Sequence, residues 1–179
     1  MAFFILQALY YFLPAYVANM APVVLSKLNV FPQPVDFGRR WNGKPLFGSH
    51  KTWGGLLYAT AAGTAVFAVQ QRLSAVPFFA QLSLADYAQQ PLWLGFLLAS
   101  GAILGDLGKS FVKRRLDKKP GERWFPWDQL DLVIGAFAFS SFVYVPPASV
   151  IAAIVLLTPV LHAATNHLGH WLGLKKVTW

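Results

Sequence analysis

No cysteine occurs in the 179 residues. A disulfide framework, a thiolate zinc site and a cysteine nucleophile are therefore excluded. Charge is scarce as well: 12% of the residues are Asp, Glu, Lys or Arg, against about 25% in an ordinary soluble domain. Acidic residues number only 7, facing 15 Lys and Arg, for a formal charge of +8. What takes the place of charge is apolar. Hydrophobic residues make up 56% of the chain and gather in runs close to the roughly 20 residues that a helix needs to cross a hydrocarbon core of about 30 Å.

The fold class that follows is all-α: a polytopic membrane protein with about five transmembrane helices, residues 1–179 forming one domain. The apolar runs cover about 2–28, 52–69, 91–107, 130–145 and 148–172. The first starts directly after Met1, with no basic residue before its apolar core, and is expected to be a retained helix. Residues 29–51 carry Pro32, Pro34, Gly38, Gly43, Pro45 and Gly48, too closely spaced for a helix, and form a long loop. A second polar loop covers about 108–130. The stretch 76–84 is too short to cross and reads as an interfacial connection. Gly101 and Gly105, four apart, offer a seam on which another helix can pack closely.

With five spans, both long loops and the C-terminus lie on one side, and that side holds all 15 basic residues except Arg72. The asymmetry makes it cytoplasmic and puts the N-terminus outside, in a cell membrane. Basic loops bounded by spans favour anionic lipid and phosphate as partners, and no nucleic-acid-binding motif is present, so nucleic acid is not an expected partner. The tryptophans, among them Trp41, Trp53, Trp124, Trp127, Trp171 and Trp179, fall near the expected interfaces, where membrane anchoring accounts for them.

Three carboxylates stand at the cytoplasmic edge. Asp106, Ser110 and Lys113 follow i, i+4 and i+7 spacing where the third span leaves the membrane, with Lys109 beside them, so a continuing helix places them on one face. Asp128 and Asp131 share a face where the fourth span enters. Capping of that helix would also put acids there. However, Lys109, Lys113, Arg114, Arg115, Lys118, Lys119 and Arg123 supply more positive charge than orientation needs. Carboxylates for Mg²⁺ beside cations for phosphate is the layout of phosphoryl and nucleotidyl transfer. At the start of the second span, Gly48 to Gly55 place Lys51 and Thr52 at a helix N-terminus, where an anion is favoured. The spacing is not that of a P-loop.

The run Gly105-Asp106-Leu107-Gly108-Lys109-Ser110-Phe111-Val112-Lys113-Arg114-Arg115, then Lys118-Lys119-Pro120-Gly121, then Pro126-Trp127-Asp128-Gln129-Leu130-Asp131 resembles the signature of the CTP-dependent phosphatidate cytidylyltransferase superfamily. Within it the chain is most similar to the short archaeal-type branch, the CDP-archaeol synthases. That branch is also similar in its five spans, its first loop with Asp36-Phe37-Gly38-Arg39 and Lys51-Thr52-Trp53, and its tail over 172–179. Where the bacterial signature has His-Gly-Gly this chain has Phe125-Pro126-Trp127, and Gln129 stands in place of Arg.

The resemblance implies that Asp106 and Asp128 hold Mg²⁺, that Asp131 supports the metal, that Ser110, Lys113 and Arg114 contact phosphate groups, and that Lys44 and Lys51 help bind CTP. The reaction it implies is CMP transfer from CTP to a membrane lipid phosphate of the ether type, giving CDP-archaeol and pyrophosphate. Phosphatidic acid as substrate, a CTP-dependent polyprenol kinase and a non-enzymatic transporter or lipid-binding protein are the alternatives, and a second copy of the chain is a candidate homodimer partner. Asn19, Thr158, Thr165 and Asn166 lie within apolar spans, where hydrogen bonds between helices are expected. Asn19 is also a candidate for the lipid-phosphate site. His162, His167 and His170 have no neighbouring carboxylate in sequence and are not expected to bind metal.

Overall fold

A computed structural model describes residues 1–25, 30–119, 122–171 and 173. The expected motif residues Pro120 and Gly121, the basic residues Lys27, Lys175 and Lys176, and the tail residues Leu172 and 174–179 lie outside the described residues.

Among the described residues six helices and a small hairpin follow in chain order: α1 (Ala2–Leu25), β1 (Arg40–Trp41), β2 (Lys44–Pro45), α2 (Trp53–Leu73), α3 (Pro77–Leu82), α4 (Trp93–Arg115), α5 (Trp127–Ser140) and α6 (Ala148–Trp171). In α1 the buried residues Ala8, Tyr11, Phe12, Ala15 and Ala18 recur at three- and four-residue intervals, the stripe that one helix shows to its neighbours. With Phe67 of α2, Leu94 and Leu98 of α4, Leu132 of α5 and Ile154 of α6 the first four form one core cluster, and Ala18 packs in a second with Ala59 and Ala99. The opposite faces carry Leu13, Leu57, Phe96, Leu104, Ile134, Leu156 and Val160, all exposed. In water so much apolar surface would drive association; against lipid it is the expected outer face of a membrane protein.

Three of the described helices, α1, α4 and α6, are long and apolar enough to cross a membrane. Helix α2 has 21 residues, about 31 Å of helix, but carries Gln70, Gln71 and Arg72 at its end. The fourth apolar run, expected to stay helical to Val145, stops at Ser140: α5 has 14 residues, about 21 Å, and the chain then turns through Val143 and Tyr144, whose N–H groups donate to the Ser140 carbonyl, each at 2.9 Å. The connection at 76–84 holds the short helix α3, on which Leu82 is buried.

The loop before α2 is more ordered than its glycine and proline content suggests. Asn42 and Gly43 both have positive φ (49° and 74°), the conformation of a tight two-residue hairpin turn, and Arg40 pairs with Pro45 across it. Asp36 organises the rest. Its carboxylate accepts from the N–H groups of Gly38 (2.9 Å), Phe47 (3.0 Å) and Gly48 (3.3 Å). Burial works to raise the Asp36 pKa, and the backbone donors outweigh it, holding the carboxyl below the usual aspartate value. A folded pKa below the unfolded value of about 3.9 contributes stability above that pH and loses it as the pH falls through the folded value. Acidification below about pH 4 is therefore expected to loosen this loop, read as faster amide exchange at Phe47 and Gly48. Asp36→Asn should remove the acid step and cost about 1 to 3 kcal/mol at neutral pH, since it turns an amide group toward buried donors.

Arg115 fastens the hairpin to α4. Its guanidinium donates to the carbonyls of Trp41 (3.2 Å), Lys44 (3.2 Å) and Pro45, and lies over the rings of Trp41 and Phe111 at 5.5 and 4.9 Å. Only a planar, multiply donating cation can do both. Trp41, expected as a membrane anchor, is thus part of the joint between loop and helix.

Candidate active site

Helix α4 does not end where its apolar residues end. It continues to Arg115, so Asp106, Ser110 and Lys113 do share a face, and that face meets the first turns of α5. These two helices have the most extensive packing in the molecule. The reason is the glycine seam. A Cβ on Gly105 would strike the Asp131 carbonyl oxygen, and one on Gly135 would strike the Gly101 carbonyl oxygen. With no side chains between them, the two backbones bring Asp106 to Asp128 and Asp131.

The three carboxylates are interleaved with three ammonium groups. Lys51 donates to Asp106 Oδ2. Lys113 donates to both oxygens of Asp128, at 3.0 and 3.2 Å, and to the Glu122 carbonyl. Lys109 reaches all three acids: its Nζ is 3.1 Å from Asp106 Oδ1, 3.4 Å from Asp128 Oδ1 and 2.7 Å from Asp131 Oδ2. The Trp124 N–H adds a 2.6 Å bond to Asp128. The Lys109 side chain is 16% exposed and that of Asp131 6%. Ions so withdrawn from water persist only when paired, and here each charge has an opposite neighbour.

These groups line a cleft of about 610 Å³. Of the residues singled out from sequence, Asp106, Asp128, Lys51, Ser110, Lys113 and Arg114 line it, and Asp131 lies behind them, bonded to Lys109. Three stand elsewhere. Thr52 caps α2, its Oγ1 accepting from the Gly55 N–H at 3.2 Å. Lys44 pairs with Asp117 at 2.6 Å and lines a second cavity of about 460 Å³, which shares Arg114 and Gly48 with the cleft. Asn19 is half-buried on α1 and does not line the cleft.

Sequence reasoning missed the opposite wall. Pro159, His162, Ala163, Asn166 and His167 of α6 line the cleft, together with His50, Phe47, Trp124, Phe125 and Gln129. Asn166 is bonded to His162 Nδ1 at 3.1 Å within α6, and Thr165 donates to the His162 carbonyl of the same helix. Thr158 makes the expected link between helices, 2.8 Å to Tyr16 of α1. The available signal was the i, i+4 repeat of His162 with Asn166 and of Ala163 with His167 on an otherwise apolar helix. On the cleft wall the Gln129 Oε1 is buried with no hydrogen-bond partner among the described residues.

A hard dication suits the donor chemistry, since carboxylate oxygens from two helices converge on one point and Mg²⁺ needs only one or two carboxylates with waters completing its shell. That point is held by the Lys109 nitrogen. Among the described residues no group of three or more His, Asp or Glu is disposed to hold a metal ion as it stands.

Three comparisons bear on what such a cleft serves. The profile of the CarS-like family, described as CDP-archaeol synthase, matches residues 1–179. The chain is similar to the CDP-archaeol synthase of Pyrococcus furiosus, 39% identical over 98% of both chains, and to that of Thermofilum pendens, 42% identical over 97% of this chain and 80% of the relative. Among solved structures it is similar to an archaeal intramembrane enzyme of membrane lipid biosynthesis, with a TM-score of 0.71 and 35% identity over 90% of this chain and 94% of the other.

Proposed function

The chain belongs to the CDP-archaeol synthase family, and on that premise we propose that it transfers CMP from CTP to the phosphate of an ether-linked isoprenoid glycerol phosphate, giving CDP-archaeol and pyrophosphate. The observation that carries the reading is the matched store of charge at the cleft: Asp106 and Asp128 on its wall and Asp131 behind them, set against Lys51, Lys109 and Lys113.

An oxygen of the lipid phosphate attacks the α-phosphorus of CTP in line with the departing pyrophosphate. It is already anionic, so no protein nucleophile is required. Lys51, Lys113 and Arg114 bind and orient the triphosphate, the two lysines exchanging their carboxylate partners for phosphate oxygens as substrate enters, and Ser110 donates to the same oxygens. Asp106 and Asp128 would hold Mg²⁺, with Asp131 in support, and the ion when bound neutralises charge on the phosphates. Lys44 ties the hairpin to α4 by donating to the Arg115 carbonyl at 3.1 Å, and from the adjoining cavity that shares Arg114 with the cleft it helps bind CTP.

The reading includes a topology. Helices α1, α2, α4, α5 and α6 span the cell membrane with the N-terminus outside, and the hairpin loop and the α4–α5 loop face the cytoplasm. In support, Arg72 is the one described Lys or Arg outside those loops and the end of α4 that they join, a bias that favours a cytoplasmic position. Only there can a lipid headgroup meet aqueous CTP.

The test is to incubate detergent-purified protein with Mg²⁺ and α-labelled CTP, offering the ether glycerol phosphate and phosphatidic acid separately. Label should enter the lipid phase with the ether substrate. Preference for phosphatidic acid would reassign the lipid, and label entering lipid only from γ-labelled CTP would make the protein a kinase. Folded protein that labels neither lipid would sink the proposal.

A further inference from the structure

We propose that Lys109 is the resident cation of this site: without nucleotide its ammonium sits where the metal binds, and arrival of metal with the triphosphate displaces it onto a substrate phosphate. This rests on the reading of Asp106, Asp128 and Asp131 as metal ligands.

The three lysines of the cluster are not equivalent. Lys51 serves Asp106 and Lys113 serves Asp128. Lys109 alone reaches Asp106, Asp128 and Asp131, at 3.1, 3.4 and 2.7 Å. An ammonium carries three N–H donors and no acceptor, and all three acids lie within ion-pair distance of this one. The position it fills is the point of convergence of the acids, which is where a metal would take its oxygens at about 2.0 to 2.1 Å. Two cations cannot occupy that point together, because they repel strongly where water is excluded. Either the metal or Lys109 is there.

Lys109 also has somewhere to go. It lines the open cleft beside Ser110 and Lys113, and four flexible methylenes carry its charge. Leaving three carboxylates for bulk water would be unfavourable. Leaving them for a polyanionic phosphate is not, since the ammonium exchanges one set of anionic oxygens for another. Metal alone must therefore compete with a tethered cation, whereas metal arriving with a triphosphate supplies that cation with a new partner. The site then admits metal and nucleotide together. A purely structural role, in which Lys109 ties α4 to α5, predicts no such competition.

The probe that separates the two is Mn²⁺ binding, followed by electron paramagnetic resonance on the full-length chain in detergent without nucleotide or lipid. The wild type should bind Mn²⁺ weakly, and Lys109→Met at least tenfold more tightly. Without metal that variant should melt below the wild type, and Mn²⁺ should restore it. Lys109→Gln, which keeps donors but no charge, should show the same gain and serves if the methionine variant does not fold. Folded variants that bind Mn²⁺ no more tightly than the wild type would overturn the proposal alone. A gain that persists when Asp106 and Asp128 are both changed to asparagine would put the metal elsewhere and overturn the metal-ligand reading with it.

Discussion

Asp128→Asn is expected to lower cytidylyl transfer on the order of a thousandfold, about 4 kcal/mol of transition-state stabilisation, while the protein still folds and extracts normally. Asp128 receives Lys113 on both oxygens, Lys109 at 3.4 Å and the Trp124 N–H at 2.6 Å. Asparagine has nearly the same shape and can still accept from Trp124, and Lys113 keeps its bond to the Glu122 carbonyl, so the turn into α5 should survive. What is lost is the negative charge, which in the proposed mechanism holds the metal and sets how firmly Lys113 is held before phosphate arrives. Asp117→Asn is the matched control. Asp117 also pairs with a lysine, Lys44, at 2.6 Å, but its side chain is 76% exposed, and pairs of that kind contribute about 1 kcal/mol or less. Turnover of α-labelled CTP under saturating Mg²⁺, with a melting curve for each variant, checks both. A folded Asp128→Asn protein within tenfold of the wild-type rate would remove Asp128 from the metal site.

The parts of the fold that were legible in the sequence are those that local spacing determines. Runs of apolar residues located α1, α2, α4, α5 and α6, and the Gly101 and Gly105 pair marked the face on which α4 receives a neighbour. Where helices ended was less legible, because apolarity reports burial and not helicity. Helix α4 runs past its last apolar turn to Arg115, where basic residues favour the negative end of the helix dipole. Helix α5 ends at Ser140 although apolar residues continue beyond it. The hairpin has strands of two residues, too short for any alternation, and its only mark was the Asn42-Gly43 turn.

The site divides in the same way. Asp106, Ser110 and Lys113 are one helical face, and Asp128 and Asp131 another, so both sets followed from spacing. Which lysine lies between them did not. Spacing put Lys109 beside Asp106, but its place among three carboxylates depends on how closely α5 approaches, a property of the tertiary packing. The wall formed by His162, Asn166 and His167 was hidden for a related reason: it belongs to α6, far along the chain from α4, and no local rule joins them. Lys44 and Thr52 show the converse. They stand in basic, glycine-flanked sequence that suggests anion binding, and in the fold they also have structural partners that no local rule announced: Lys44 donates to the Arg115 carbonyl and Thr52 caps α2.

Two glycines in one helix should separate packing from helix propensity. Gly105→Ala is expected to destabilise the protein by about 1 to 3 kcal/mol and to lower turnover about a hundredfold, whereas Gly108→Ala should leave turnover intact and raise stability by up to about 1 kcal/mol. Both replacements add one methyl group within α4. At Gly108 that methyl meets nothing within 4 Å, while at Gly105 it meets the Asp131 carbonyl oxygen and Gly135 Cα. The clash involves backbone on both sides, so no side chain can turn aside to relieve it. Relief must come from α4 and α5 moving apart at the turn that carries Asp131. Lys109 spans that gap to Asp131 at 2.7 Å and to Asp128 at 3.4 Å, and a displacement near 1 Å in a reacting constellation can cost about two orders of magnitude in rate. Melting temperature and cytidylyl transfer measured on the two variants decide the matter. If Gly105→Ala behaves as Gly108→Ala does in both, the seam does not set the geometry of the site, and the carboxylates must be held in place by their lysines instead.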